Sequence, residues 1–106
     1  MNVINRASII FKEGQSVDFD YSITHYVIID DTIAVRVSIP SGEPNFDQNI
    51  YCYNSKGQLL WQINYDKYTK GFAYVALDKK EGKYLATNFQ GKQMLIEPKS
   101  GKTLKE

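Results

Sequence analysis

A chain of 106 residues with 42% hydrophobic side chains is long enough for one domain with a modest core. Its single cysteine excludes an internal disulfide, which points away from a stapled secreted scaffold and towards a reducing, cytoplasmic setting. The net charge of +1 is unevenly spread: residues 1–50 hold three basic groups against seven acidic ones, and residues 51–106 hold ten against five, so the halves stand at −4 and +5. Charge of this polarity suits a charged partner. No stretch reaches the ~20 apolar residues of a membrane helix. The start, MNVINRASII, lacks the basic and then apolar pattern of a signal peptide.

Eight Tyr, five Phe and one Trp tilt the composition towards pleated surfaces. Short runs of β-branched and aromatic residues predict strands near Ser8–Lys12, Ile23–Ile29, Ile33–Ile39, Asn49–Tyr53, Gln58–Ile63, Phe72–Leu77, Lys83–Asn88, Gln93–Glu97 and Lys102–Lys105. Turns fall at Asp30-Asp31, between two apolar strands, and at Ser55-Lys56-Gly57, Lys80-Glu81-Gly82, Gln90-Gly91-Lys92 and Lys99-Ser100-Gly101, where glycine supplies the positive φ that hairpins need. The fold class is therefore all-β.

The stretch NIYCYNSKGQLLW aligns with QMLIEPKSGKTLK on Gly57 and Gly101, 44 residues apart. In this alignment Leu60 matches Leu104, Cys52 matches Ile96 and Ile50 matches Met94. Upstream, Ile28-Ile29-Asp30 sits over Ala76-Leu77-Asp78, and Ala34 over Ala86, with the gaps in loops. A period near 40–45 residues with four strands per unit is the mark of a propeller blade. The single domain 1–106 thus divides into a first blade-like unit, 13–64, and a second, 65–106, preceded by one N-terminal strand.

A strand, a glycine turn and then Leu and Trp, as in Asn54-Ser55-Lys56-Gly57-Gln58-Leu59-Leu60-Trp61, resemble the blade repeats of quinoprotein-like and WD40-like β-propellers. Pro98-Lys99-Ser100-Gly101-Lys102-Thr103-Leu104 is the second copy, with Lys105 in place of the Trp. The resemblance implies two four-stranded antiparallel propeller-like blades plus one strand, a half-propeller. Two blades do not close a ring of the usual four to eight. Either identical chains complete a ring, as a homo-oligomer, or two small sheets pack on each other. Trp61, Leu59 or Leu60, Ile63, Phe72, Val75, Leu77, Leu85 and Ile96 are the expected core. Lys99, Lys102 and Lys105 guard the C-terminal edge, and Ile9-Ile10-Phe11 is expected to be covered.

Chemistry-bearing residues are sparse. His25 is the only histidine, so with one cysteine no zinc set assembles. Cys52 alternates with Tyr51 and Tyr53, which places it on the opposite face as a small core residue rather than a nucleophile. Asp18, Asp20, Asp30 and Asp31 lack the oxygen ladder and glycine of a calcium loop. No cofactor and no metal are expected. The lysine-rich half, with Tyr65, Tyr68 and Phe72 as stacking partners, is a candidate nucleic-acid face, but its lysines are scattered over separate turns among five acids. The loop Ser38 to Gln48, SIPSGEPNFDQ, is pre-shaped by two prolines and places Phe46 between Glu43 and Asp47.

The expected function is non-catalytic protein binding. The acidic half, through Asp30, Asp31, Glu43, Phe46 and Asp47 with Asp18 and Asp20, would engage a basic partner by charge steering. In size and lack of active-site chemistry the chain is similar to small bacterial immunity proteins that block toxins, many of them nucleases with basic grooves. The alternatives are an oligomerising propeller-fragment scaffold and a nucleic-acid module using the lysine-rich half.

Overall fold

Alternating apolar residues and turn-forming glycines produce eleven strands and no helix among residues 3–4, 6–12, 14–64 and 71–105, those described in the computed structural model. The first sheet holds β1 (Val3–Ile4), β2 (Ser8–Ile10) and β3 (Ser16–Asp18) in that order. The second holds β4 (Ile23–Ile29), β5 (Thr32–Val37), β6 (Ile50–Asn54) and β7 (Leu59–Gln62). The third holds β8 (Tyr74–Lys80), β9 (Lys83–Asn88), β10 (Gln93–Ile96) and β11 (Thr103–Lys105). Neighbouring strands are antiparallel throughout. No described strand joins one sheet to another.

The second sheet is the filling of a three-layer stack. Because side chains alternate along a strand, Ile33, Val35 and Val37 of β5 and Tyr51 and Tyr53 of β6 face the first sheet, where they meet Ile9, Phe11, Val17 and Phe19. Ala34, Ile50, Cys52, Trp61 and Ile63 face the third sheet and meet Tyr74, Leu77, Tyr84, Ala86 and Ile96. Trp61 is the pin of that second interface. Its ring stands edge-on to Tyr84 with centroids 6.0 Å apart, and its Nε1 donates to the Pro98 carbonyl at 2.8 Å. The Tyr84 hydroxyl in turn lies 2.7 Å from Thr32 Oγ1, which donates to the Ile29 carbonyl.

Pairing registers expose the repeat more sharply than the sequence does. In β4 a bulge lies between Ile23 and His25, opposite Val37 and Arg36; in β8 one lies between Tyr74 and Ala76, opposite Asn88 and Thr87. The two hairpins therefore superpose with Ile23 over Tyr74 and Val37 over Asn88. Asp30 then matches Glu81, and both are left-handed, at φ 52° and 53°. This corrects the pairing of Asp30 with Asp78 and of Ala34 with Ala86: the matches are Glu81 and Leu85. The β10–β11 turn is also one residue longer than the β6–β7 turn, since Glu97 N bonds to Lys102 O where Asn54 N bonds to Gln58 O. Tyr53, not Cys52, is therefore the counterpart of Ile96.

A third copy lies upstream. Phe11 N bonds to Gln15 O and Gly14 N to Phe11 O, the same ring that Asn54 makes with Gln58 and Gly57. Gly14, Gly57 and Gly101 all have positive φ and are spaced 43 and 44 residues apart. The N-terminal strand expected to stand alone is thus the centre of a three-stranded sheet. Residues 14–18 belong to that sheet and not to a unit running 13–64. Ile9 and Phe11 are buried as expected, whereas Ile10 between them is 38% exposed.

Of the expected core, Trp61, Ile63, Leu77 and Ile96 are buried, and Leu60 packs against them partly buried. Phe72 is half-buried. Leu59 and Val75 are exposed. Val75 is the extra residue of the β8 bulge, and the bulge is what lets Tyr74 and Leu77, three apart, share one face. Leu85 lies on the outer face of the third sheet, between the inward Tyr84 and Ala86.

A Cβ at Gly101 would stand 2.6 Å from Trp61 Cγ, whereas at Gly57 the closest atom is Gln15 Oε1 at 2.9 Å, the end of a flexible side chain. Gly57→Val is therefore expected to cost about 1–3 kcal/mol through backbone strain. Gly101→Val should cost more, because the Trp61 pin has to move. Urea denaturation of both variants checks the order.

Candidate functional site

The residues expected to bind a partner do not form one surface. Asp30 and Asp31 make the β4–β5 turn, while the loop 38–48 follows the other end of β5. A six-residue strand separates them by roughly 20 Å. At the turn end, Asp30 and Asp31 border a pocket with Thr32, Gly82, Glu97, Pro98 and Lys99. Lys99 Nζ lies 4.0 Å from Asp31 Oδ1, so this acidic pair already faces a cation of its own chain.

At the loop end, Asp18 and Asp20 come together with the loop. They line a surface pocket of about 220 Å³ with Phe19, Tyr21, Val37, Ile39, Pro44, Asn45 and Tyr51. The chain folds this way because Phe19 and Tyr21 pack against the apolar side chains of the second sheet, which carries the intervening carboxylates to the rim. Phe19 N is tied to the Ala7 carbonyl at 2.7 Å. The Phe19 and Tyr51 rings lie 5.2 Å apart. Burial raises the Tyr51 pKa, which keeps its phenol neutral. Carboxylates over aromatic rings are the chemistry that holds a guanidinium or ammonium group. Sequence reading singled out Asp18 and Asp20 but missed Phe19, Tyr21 and Tyr51; the run Asp18-Phe19-Asp20-Tyr21, acid and aromatic in alternation, was the available signal.

The loop itself is a series of tight turns. Glu43 N bonds to Pro40 O, Phe46 N to Glu43 O and Gln48 N to Asn45 O, with Gly42 and Asn45 at positive φ. Glu43 is exposed and Phe46 half-buried. Asp47 is 8% exposed, and its Oδ2 accepts the Gly71 N–H at 2.8 Å. It therefore anchors the loop to the start of the third sheet and is withdrawn from the surface assigned to it. Behind it, the Asn49 side chain mimics a strand: Oδ1 accepts Tyr74 N–H at 3.1 Å and Nδ2 donates to Tyr74 O at 2.9 Å.

The remaining candidates take structural places. His25 Nδ1 accepts from Arg36 Nε at 3.0 Å; burial and the adjacent Arg36 charge lower its pKa, against a smaller opposing effect of Asp78. The Cys52 thiol is buried and pushed up to about 12 by desolvation, with weaker opposing hydrogen bonds. Among the lysines, Lys83 stands 3.9 Å from Glu97, so together with Lys99 two of the basic groups face acids of this chain. Tyr65 and Tyr68 lie outside the described residues. The described residues contain no helix long and apolar enough to cross a membrane, and they hold no cluster of three His, Cys, Asp or Glu side chains fit for a metal.

Two expectations follow. With a thiol pKa near 12, only about one Cys52 in 10⁴ is a thiolate at pH 8. An Ellman-type reagent should leave native protein unlabelled over hours and label it promptly in denaturing urea. Asp47→Ala should lower stability by about 1–3 kcal/mol through the orphaned Gly71 N–H, as read by denaturant midpoint, whereas Glu43→Ala should leave the midpoint unchanged.

No curated protein and no solved structure matches the chain. Residues 3–106 match the family described as a domain of unknown function, DUF7957, and the chain belongs to that family.

Proposed function

We propose that the chain is a non-catalytic protein-binding module that engages a basic partner, in the manner of small immunity proteins that block toxins. The observation that carries this reading is the pocket where Asp18 and Asp20 stand beside Phe19, Tyr21 and Tyr51. A lysine or arginine of the partner would place its charge on the carboxylates and its stem on the rings. Glu43 and Phe46 on the adjacent loop would widen the contact, and Asp30 and Asp31 at the far turn would add to the charge steering. The four-stranded sheets serve as blade-like units that hold the pocket rigid.

A second reading rests on a different observation. Leu85, Leu95 and Leu104 are cross-strand neighbours in one row on the outer face of the third sheet. The corresponding face of the second sheet is covered by the third. This favours a scaffold whose blades stack onto further copies.

The test is co-expression with the product of the adjacent reading frame. Growth arrest by that product alone, relieved by this chain, is the expected result. In purified complexes, Asp18→Asn with Asp20→Asn should slow association about tenfold at low salt and flatten its salt dependence. Phe46→Ala should mainly speed dissociation. Binding unchanged in all these variants would remove the pocket and the loop from the interface.

A further inference from the structure

The second and third sheets have four strands each, and the first has three among the described residues. The β9–β10 turn makes the same ring at Asn88, Gly91 and Lys92, so the unfilled strand position is identified by the 43-residue spacing of Gly14 from Gly57 together with the bond of Arg6 to the next sheet. The β2–β3 hairpin corresponds to β6–β7, so β1 corresponds to β5, and among the described residues no strand corresponds to β4. The same match pairs Arg6 with Asn49. Arg6 offers its carbonyl to Ile23 N at 2.7 Å, just as the Asn49 side chain takes Tyr74 N, so each clasps the first residue of the next sheet.

The unfilled position has a measurable consequence. In the third sheet Leu77 is 5% exposed, because β4 of the preceding sheet lies over it. Its counterpart in the second sheet is Tyr26, which is 53% exposed, and the next residue on that face, Ile28, is 49% exposed. Both point towards the first sheet, since their cross-strand partners Val35 and Ile33 belong to the core shared with it. That core runs from Ile4 and Ile9 across Ile33 and Val35 and then ends at two uncovered apolar side chains. Beside them β1 is an edge strand, paired among the described residues with β2 alone.

We propose that the β1 edge and the Tyr26–Ile28 face together form a groove for an extended strand of a partner protein, which completes the first sheet. The strand would pair antiparallel with β1, as β4 pairs with β5, and would run in the direction of β4. Alternate residues would be apolar, to cover Tyr26 and Ile28. Its C-terminal end would reach Asp30 and Asp31, so a basic residue there complements the groove. Main-chain bonds to an open edge supply affinity, and the alternate side chains supply selectivity. The surface is continuous with an interface the molecule already uses, which distinguishes it from scattered exposed hydrophobics.

The probe is a fluorescein-labelled synthetic peptide with the sequence of residues 22–29, Ser-Ile-Thr-His-Tyr-Val-Ile-Ile, followed by two lysines. It copies the strand that fills this position in the next sheet. Saturable binding to the full chain by fluorescence anisotropy, weakened about tenfold or more by Ile28→Lys and separately by Tyr26→Ser, is the expected result. Neither residue is buried, so thermal melting should show both variants folded. A peptide N-methylated on the residues that face β1 should fail to bind, and hydrogen exchange at Val3 and Ile4 should slow when the unmodified peptide is present. No saturable binding up to about 1 mM overturns the proposal. So does binding indifferent to N-methylation. A wild-type dimer that dissociates on Ile28→Lys overturns it as well, because the groove would then be occupied by a second copy.

Discussion

β5 has no solvent face. Thr32, Ile33, Ala34, Val35 and Val37 are all buried, alternately against the first sheet and the third. A strand covered on both sides cannot slip by one residue without exchanging its two cores, so β5 fixes the register of the second sheet, and the other two sheets are placed against that register. Small Ala34 and Cys52 on one face leave room for Trp61 and Tyr84, while branched Ile33, Val35 and Val37 fill the other. The polar residue Thr32 is admitted only because its hydroxyl meets both the Ile29 carbonyl and the Tyr84 hydroxyl.

The layers are locked at their margins by polar groups that do the work of missing backbone. The Asn49 amide takes both the N–H and the C=O of Tyr74, and Arg36 Nη1 adds a second donor to the same carbonyl at 3.2 Å. Asp47 holds Gly71 on the same side. These contacts lie just behind the pocket of Asp18, Asp20 and their aromatic neighbours. The loop that borders the pocket is thereby held by buried bonds at its C-terminal end, while its tip at Glu43 and Asn45 stays in solvent.

The all-β class and the four-strand units were legible because most turns announce themselves with glycine, the β4–β5 turn doing so with Asp30-Asp31, and Gly57 and Gly101 do sit in matching hairpins. The first sheet was not legible. β3 reads Ser-Val-Asp, a polar strand with a single half-buried residue, and gives no periodicity to detect. Residue-level equivalence was misread because Asp30 reads like Asp78 although the two hairpins are of equal length and put Glu81 in its place, and because the β10–β11 turn is longer by a residue; the β8 bulge in addition turned Val75 outward. The acidic surface was misassembled for a different reason. Net charge per half says nothing about which end of a strand a carboxylate occupies, and β5 sends Asp31 and Glu43 to opposite ends. Asp47 looked like surface charge, yet its partner is a backbone N–H 24 residues away, which no local pattern encodes.

The two cores share only the middle sheet: the first and third layers contribute to separate clusters. Energetically the molecule is therefore a short linear array with nearest-neighbour coupling. Either outer layer can peel away while the remaining pair keeps its own core, but loss of the middle layer dissolves both at once. Local opening should accordingly begin at the ends and travel inward. Ile33 and Ala34, adjacent in sequence, would then lose their protection in separate events, one with each flank.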